Sequence, residues 1–206
     1  MSKDKRAPRL STAARHDQIL ESAARLILAE GVGRCTLETV AVTAGISKAL
    51  IYRHFNSREE LLRAVLEREY DIMDAHGMND YSPNASFEEF FSDNLPKVFQ
   101  YLIERGPVIR AMFNDRAVAK LLREAAVARR ASKTAFYRDK ARETFGLDAR
   151  TTQLGVILTT NAPVASARAL RSFHIEPGDA AEFWTTFLTG GWTAVSAISK
   201  LEADRD

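Results

Sequence analysis

Two short helical segments joined by a glycine turn restrict the folds open to this chain. Thr36 offers an N-capping hydroxyl to the first segment, and Gly45 ends it with a residue that tolerates a left-handed backbone. Ser47 caps the second segment, which covers residues 48–54. A turn of this kind lets the second helix leave the first at a steep angle, so the spacing predicts a helix-turn-helix within residues 36–55.

The rest of the sequence repeats apolar residues at helical spacing, and no alternation typical of a β-strand persists along it. Capping residues and glycines set the limits of the segments. We predict helices over residues 12–30, 37–44 and 48–54, from Ser57 to about residue 76, from Ser86 to Gly106, and over residues 108–113, 117–145, 150–171 and 179–201.

The predicted fold is therefore all-α. An N-terminal three-helix helix-turn-helix domain over residues 1–66 is joined by a long helix to an α-helical domain over residues 67–206. A stretch rich in turn formers, residues 76–85, follows the long helix. Two capping boxes support the order of the helices, because Ser57 precedes Glu60 and Ser86 precedes Glu89 at the required spacing.

Charge is distributed unevenly along the chain. Residues 1–58 carry a formal charge of +5 and residues 59–206 carry −3, within an overall net charge of +2. A basic first quarter is typical of a segment that meets a polyanion, although charge alone fits an ordinary solvated surface equally well. The N-terminal stretch is either an arm that contacts DNA or an unstructured terminus. Its basic residues are Lys3, Lys5, Arg6, Arg9 and Arg15.

Several classes of protein are excluded by composition. Cys35 is the only cysteine, which leaves no disulfide and no cysteine-rich zinc site and favours a reducing cytoplasm. The two longest uncharged stretches have 17 residues each and contain Thr, Asn, Gly or Ser, which favours buried helices over membrane spans. No secretion signal and no phosphate-binding, nucleophile-elbow or zinc-helix motif is present. We expect a cytoplasmic protein without catalytic activity, metal, cofactor or membrane partner.

A spaced set of residues around the turn resembles the TetR family of transcription regulators. Members have an Ala-Gly pair, a β-branched apolar residue and a serine, then a short helix ending in Tyr-x-His-Phe, followed by a basic residue, Glu and Leu. The matching residues are Ala44, Gly45, Ile46, Ser47, Tyr52, His54, Phe55, Arg58, Glu59 and Leu61. The resemblance covers residues 15–66, about a quarter of the chain, and the later helices agree in number and length with the family's ligand-binding and dimerisation region.

The resemblance implies a DNA-contacting surface on the second helix of the motif. Lys48, Ala49 and Leu50 correspond to positions that lie against base edges, although many members have glycine where Ala49 stands. Arg53 occupies a variable position and contacts either guanine or phosphate. Helix capping is a simpler role for the Thr and Ser side chains, and a half-buried aromatic is a simpler role for the tyrosine. The implied phosphate contacts are Thr36, Ser47, Tyr52, His54 and Arg58.

The resemblance also implies a small-molecule pocket in the C-terminal region. Aromatic residues at helical spacing are more often plain core, so the pocket residues are candidates only. Asn161 joins them because Pro163 bends its helix and exposes polar groups there. The candidates are Phe99, Met112, Phe113, Tyr137 and Asn161.

A DNA site with two-fold related halves is met most simply by a two-fold dimer. We expect the last two helices to form the interface, because they carry more apolar surface than a terminal hairpin can bury against one body. The alternative is that this surface belongs to the core of the monomer. The candidates are Leu154, Ile157, Phe183, Phe187, Trp192 and Val195.

The residues and the resemblance together predict a ligand-responsive, sequence-specific DNA-binding transcription regulator. The expected form is a homodimeric repressor that leaves a palindromic double-stranded DNA operator when a small, largely apolar effector binds the C-terminal domain. An activator or a corepressor-dependent regulator is one alternative. A helical module that binds DNA without sequence preference is the other.

Overall fold

The computed structural model describes residues 10–75 and 85–203, and within those ranges all regular structure is helical. The predicted all-α class is confirmed. The N-terminal arm before residue 10 and nearly all of the turn-rich stretch lie outside the described residues. The α-helices are α1 Thr12–Glu30, α2 Leu37–Thr43, α3 Lys48–Ile51, α4 Arg58–Ala75, α5 Phe87–Glu104, α6 Gly106–Asn114, α7 Arg116–Phe145, α8 Ala149–Ser172 and α9 Pro177–Ala203.

The described residues fall into two compact units. The first lies within Met1–Arg68 and Arg110–Leu121, and the second within Glu69–Ile109 and Leu122–Asp206. The division passes through α4, α6 and α7, so each of these helices contributes residues to both units. The first unit contains the predicted helix-turn-helix, and all of α5, α8 and α9 belong to the second.

Most helix limits follow the caps that the sequence predicts. Ser86 and Glu89 form the complete capping box at the start of α5, with bonds of 3.1 and 2.8 Å. At the start of α4 the Glu60 N–H donates to Ser57 Oγ at 3.1 Å, but the Glu60 carboxylate accepts from the Asn56 N–H at 2.8 Å instead of completing the box. This variant still satisfies a backbone donor ahead of the helix.

Two local features differ from the sequence prediction. A 3₁₀ helix, Val32–Arg34, lies between α1 and α2. The second helix of the motif ends at Ile51 instead of His54, because the Arg53 and His54 N–H groups bond to carbonyls three residues back, at 3.1 and 2.9 Å. The final turn is therefore tighter than an α-helix.

The core of the first unit is aliphatic apart from one aromatic ring. Successive turns of α1 and α4 supply most of it, while α2 and α3 each supply one face, which is the amphipathic pattern expected of surface helices. The Gln18 side-chain amide reaches from α1 to the Ala44 carbonyl at 3.0 Å and so holds the turn after α2. The core residues include Ile19, Ala23, Ile27, Val40, Ile51, Phe55, Leu61, Leu62, Val65 and Leu66.

The core of the second unit is rich in aromatic rings. Phe90 and Phe91 from α5 pack against Tyr137, with the Phe91 and Tyr137 rings stacked at a centroid distance of 5.8 Å. Helices α5, α8 and α9 pack against one another around this cluster. The Ser196 hydroxyl donates to the Phe145 carbonyl at 2.7 Å, which ties α9 to the end of α7.

A partly buried ion pair joins α4 to the residue that follows α5. The Glu69 carboxylate is fully buried and accepts from the Arg105 guanidinium at 2.5 and 2.8 Å and from the Tyr101 hydroxyl at 3.3 Å. Burial, followed by the neighbouring Glu69 carboxylate, raises the pKa of the Tyr101 phenol. The tyrosine therefore stays protonated and acts as a hydrogen-bond donor.

None of the helices among the described residues is long and apolar enough to cross a membrane.

Candidate nucleic-acid interface

The turn between α2 and α3 is a Schellman motif built on Gly45. Gly45 has a φ of +66°, its N–H donates to the Val42 carbonyl at 3.1 Å, and the Ile46 N–H donates to the Ala41 carbonyl at 3.0 Å. A left-handed backbone at this position costs an ordinary residue roughly 1–2 kcal/mol, which explains the glycine. The turn fixes the direction in which α3 leaves α2.

The two faces of α3 separate core residues from predicted DNA contacts. Ile51 is fully buried and Phe55 nearly so, whereas Ser47, Lys48 and Ala49 are exposed. The Ser47 hydroxyl accepts from the Leu50 N–H at 3.2 Å, which confirms its capping role. Of the remaining predicted contacts on this helix and the turn after it, Leu50 is half-buried and Tyr52 and Arg53 are exposed. The side chains at the start of α3, from Ser47 to Ala49, therefore face outward.

An acidic residue of α2 holds two of the predicted DNA contacts. The Glu38 carboxylate accepts from the Tyr52 hydroxyl at 2.7 Å and pairs with Lys48 Nζ at 3.0 Å. Lys48 Nζ also lies 5.6 Å from the centre of the Tyr52 ring. We call these three residues the Glu38 cluster.

The Glu38 cluster alters the protonation of its members. The bond from Tyr52, followed by that from Lys48, lowers the pKa of Glu38 to about 2. The same carboxylate raises the pKa of both Lys48 and Tyr52. At neutral pH the cluster therefore consists of a carboxylate, an ammonium and a protonated phenol. Glu38 was not among the predicted site residues, since it precedes Tyr52 by 14 positions; its place in the first exposed turn of α2 was the available signal.

Two of the predicted phosphate contacts also have a clear structural role. The Thr36 hydroxyl accepts from the Thr39 N–H at 3.2 Å as the N-cap of α2. The Arg58 guanidinium donates to the Cys35 carbonyl at 2.9 Å and to the Val32 carbonyl at 2.8 Å. Arg58 thus joins the first turn of α4 to the segment that precedes α2, and these two donors point into the domain.

His54 is half-buried at the end of the motif. Its ring lies 6.1 Å from that of His16 on α1 and 6.5 Å from that of Phe55. Partial burial, followed by the neighbouring His16, lowers the pKa of the His54 imidazole. The ring is therefore neutral at pH 7, with one nitrogen as a hydrogen-bond donor and the other as an acceptor.

The predicted pocket residues are divided between the two units. Phe99 and Tyr137 belong to the aromatic core of the second unit, whereas Met112 and Phe113 fall within the first unit. Asn161 lies on the exposed face of α8, where its amide donates to the Ile157 carbonyl at 2.7 Å. α8 continues through Pro163, so the proline does not create a buried polar notch at Asn161.

Trp192, which the sequence placed in the dimer interface, is a core residue. It is 6% exposed, stacks on Phe145 at a centroid distance of 5.5 Å, and donates its indole N–H to Thr159 Oγ1 at 3.2 Å. The aromatic residue faces inward because α8 approaches α9 closely at Gly155. The prediction of an interface role for Trp192 is wrong.

The other predicted interface residues lie on the exposed surface of α8 and α9. Phe183 and Phe187 are 64% and 59% exposed, and their rings stack with a centroid distance of 6.0 Å. Large apolar side chains at this exposure are unusual on a surface that stays in water. The members of this exposed apolar face are Leu154, Ile157, Leu158, Phe183, Phe187, Val195 and Ile198.

The fold and the site define a helix-turn-helix protein with a separate helical unit. Residues 19–65 match the family model described as bacterial regulatory proteins, tetR family. The chain is 34% identical over 87 residues to the HTH-type transcriptional regulator TtgR of Pseudomonas putida, a match that covers 42% of this chain and 39% of TtgR. It is 35% identical over 68 residues to the HTH-type transcriptional activator FasR of Mycolicibacterium smegmatis, which covers 33% of this chain and 31% of FasR.

A solved structure extends the similarity of fold to most of the chain. The TetR-like transcriptional regulator from Rhodococcus sp. RHA1 superposes with a TM-score of 0.66 at 21% identity, covering 89% of this chain and 98% of that one. The chain spans less than two fifths of the length of the curated relatives described above. The helix-turn-helix region, residues 19–65, therefore belongs to the TetR family of bacterial regulatory proteins, and over the rest of the chain the likeness is one of fold.

Proposed function

We propose that the protein is a sequence-specific DNA-binding transcription regulator that acts as a homodimer. The observation that carries the proposal is the first turn of α3, where a Schellman turn directs the helix and Ser47, Lys48 and Ala49 are exposed on one side. A recognition helix reads bases from its N-terminal residues in a major groove about 12 Å wide.

Within this function each predicted contact has a role set by its chemistry. Lys48 donates to guanine, and the aliphatic Ala49 and Leu50 contact thymine methyl groups. Ser47, Tyr52 and His54 donate to phosphate oxygens, and Arg53 contacts either guanine or phosphate. Arg58 donates to backbone carbonyls ahead of α2 and Thr36 caps α2, so both residues stabilise the start of the helix-turn-helix. Phosphate contact by these two residues stays a prediction.

The exposed apolar face supports dimer formation. A two-fold axis through α8 and α9 would bury Phe183 and Phe187 from both copies and present two recognition helices to two half-sites. Sedimentation of the purified protein at micromolar concentration tests this arrangement. A monomer at that concentration contradicts the dimer, while DNA binding by a monomer would leave the helix-turn-helix assignment in place.

We further propose that a small, largely apolar effector binds the second unit and releases the protein from its operator. The support is the aromatic composition of that unit and the course of α4, which contributes residues to both units. An effector that favours a conformation with a different spacing of the recognition helices lowers DNA affinity by shifting the population. Activation or a corepressor requirement is the second candidate mode, since FasR, one of the relatives, is named an activator.

The first experiment is a selection of bound duplexes from a random library at about 150 mM salt, repeated with a Lys48→Ala/Tyr52→Ala variant. We expect an enriched palindrome with the wild-type protein and its loss with the variant, because the variant removes a base contact and a phosphate contact. Competition against random DNA then measures specificity, for which a regulator should show a preference of about 10³ or more. Equal binding to random DNA would instead support a helical module without sequence preference.

A further inference from the structure

We propose that Glu38 limits the DNA affinity of this protein by acting as an internal substitute for a phosphate group. Its carboxylate accepts a hydrogen bond from the Tyr52 hydroxyl at 2.7 Å and pairs with the Lys48 ammonium at 3.0 Å. Both donors belong to the set predicted to contact DNA. The inference rests on the proposed function, because it concerns the affinity of the same surface.

The geometry of the Glu38 cluster follows from the backbone around it. Glu38 lies in the first turn of α2 and Lys48 in the first turn of α3, and the Schellman turn at Gly45 holds these two helices in a fixed relation. The pair therefore joins two helices across the exposed side of the motif. The Glu30–Arg34 pair, by contrast, is a local i,i+4 contact of two exposed side chains at 3.4 Å.

A carboxylate and a phosphate accept hydrogen bonds through the same kind of charged oxygen. When the protein binds DNA, Lys48 and Tyr52 must therefore release the Glu38 oxygens and donate instead to phosphate or base acceptors. An exposed ion pair is weak, so the exchange is easily reversible. Breaking the pair nevertheless costs free energy, and this cost makes DNA binding less favourable. The carboxylate that is left behind also lies close to the DNA phosphates, where like charges repel.

The cluster also changes the number of counterions that DNA binding releases. Lys48 and Glu38 together carry no net charge, whereas Lys48 alone carries +1. Each neutralised phosphate contributes about 0.9 to the slope of log K against log salt. Removing the Glu38 charge should therefore steepen the slope by about 0.9 while raising affinity.

The test compares Glu38→Gln with the wild-type protein by fluorescence anisotropy. The probes are the duplex enriched in the selection and a scrambled duplex of the same length, between about 50 and 200 mM salt. Glu59→Gln is the matched control, because Glu59 is exposed in the first turn of α4 and makes no ion pair among those that the structure describes. It removes the same charge from the same unit without touching the cluster.

We expect Glu38→Gln to bind the enriched duplex about 1.5- to 5-fold more tightly than the Glu59→Gln control, which corresponds to one exposed ion pair. The gain should vanish when Glu38→Gln is combined with Lys48→Ala and Tyr52→Phe, measured at about 50 mM salt where weakened variants still bind. The cycle isolates the coupling between the carboxylate and its two donors.

Three outcomes overturn the inference. If Glu38→Gln gains no more DNA affinity than Glu59→Gln, the gain comes only from the long-range effect of removing a negative charge. If the gain persists in the variant that lacks the Lys48 and Tyr52 donors, those donors are not involved. Weaker binding by Glu38→Gln shows that the carboxylate positions the donors for DNA. In all three cases the wild-type protein still binds, so the proposed function stands. If the wild-type protein binds neither duplex at about 50 mM salt, the proposed function is wrong and the inference falls with it.

Discussion

Among the glycines in the part of the chain that the structure describes, Gly155 has the least room for an added methyl group, because α8 and α9 approach each other closely there. A Cβ built there would lie 2.2, 2.6 and 2.8 Å from three carbon atoms of the Trp192 indole. The ring has little room to retreat, because it stacks on Phe145 and meets the edge of Phe87 at a centroid distance of 5.7 Å. Gly155→Ala therefore requires the two helices or the ring to shift.

The expected cost follows from the contacts that the shift would break. Overpacking a well-packed core costs roughly 1–3 kcal/mol. Loss of the Trp192 bond to Thr159 adds about 1 kcal/mol, and disturbance of the stacked rings adds about 1 kcal/mol. Alanine gains about 1 kcal/mol over glycine in a helix, so the free energy of unfolding should fall by roughly 2–4 kcal/mol.

Urea unfolding, monitored by circular dichroism at one fixed protein concentration, measures this loss of stability. We expect the midpoint of the unfolding transition to fall by about 1 M urea. Gly178→Ala is the control, since a methyl at that helical position meets nothing within 4 Å. Combining Gly155→Ala with Trp192→Phe should recover part of the stability, because the smaller ring makes room for the methyl. If Gly155→Ala unfolds at the wild-type midpoint, the close approach that we describe is not present in solution.

Four further outcomes follow from the structure. Gly45→Ala forces an ordinary residue into a φ of +66°, so thermal unfolding should show a loss of about 1–2 kcal/mol. Arg58→Ala leaves the Val32 and Cys35 carbonyls without their donor and should cost about 1–3 kcal/mol in urea. The folded pKa of Glu38 is depressed to about 2, so the stability it contributes is present above the ordinary glutamate pKa and is lost as pH falls toward 2; carboxyl carbon shifts in NMR follow that titration. Phe187→Asp should shift the sedimentation of the protein toward the monomer, and an unchanged dimer would remove the exposed apolar face from the interface.

Local signals explain why the helices and the turn could be predicted from the sequence. Ser47, Gly45 and the Ser86 capping box act within four residues of themselves, and the structure contains each of them. The exposed side of α3 follows from the same periodicity, since Ala49 lies two positions from the buried Ile51 and therefore on the opposite face of the helix.

Contacts between distant residues explain why the remainder could not be predicted. Tyr52 and Lys48 are residue types that are often exposed, and the sequence around them does not show that both contact the Glu38 carboxylate. Trp192 has an interface-like composition, but its direction depends on Gly155, a residue 37 positions earlier on another helix. Composition gives the apolar area of a helix, whereas packing against neighbouring helices decides which side of it is buried.

The attachments of α4 bear on how a signal could reach the recognition helix. Arg58 holds the segment before α2 through two backbone carbonyls, and Arg68 pairs with Glu21 of α1 at 3.0 Å. These bonds lie about ten residues apart along α4, nearly three turns, so the first part of the helix is fixed to the first unit at both ends. A displacement of α4 would therefore carry the helix-turn-helix with it as one body, because bending the segment would first break a charge-assisted bond at Arg58 or Arg68. Under the proposed function, the effector changes where the recognition helix lies and leaves its internal geometry, including the Glu38 cluster, unchanged.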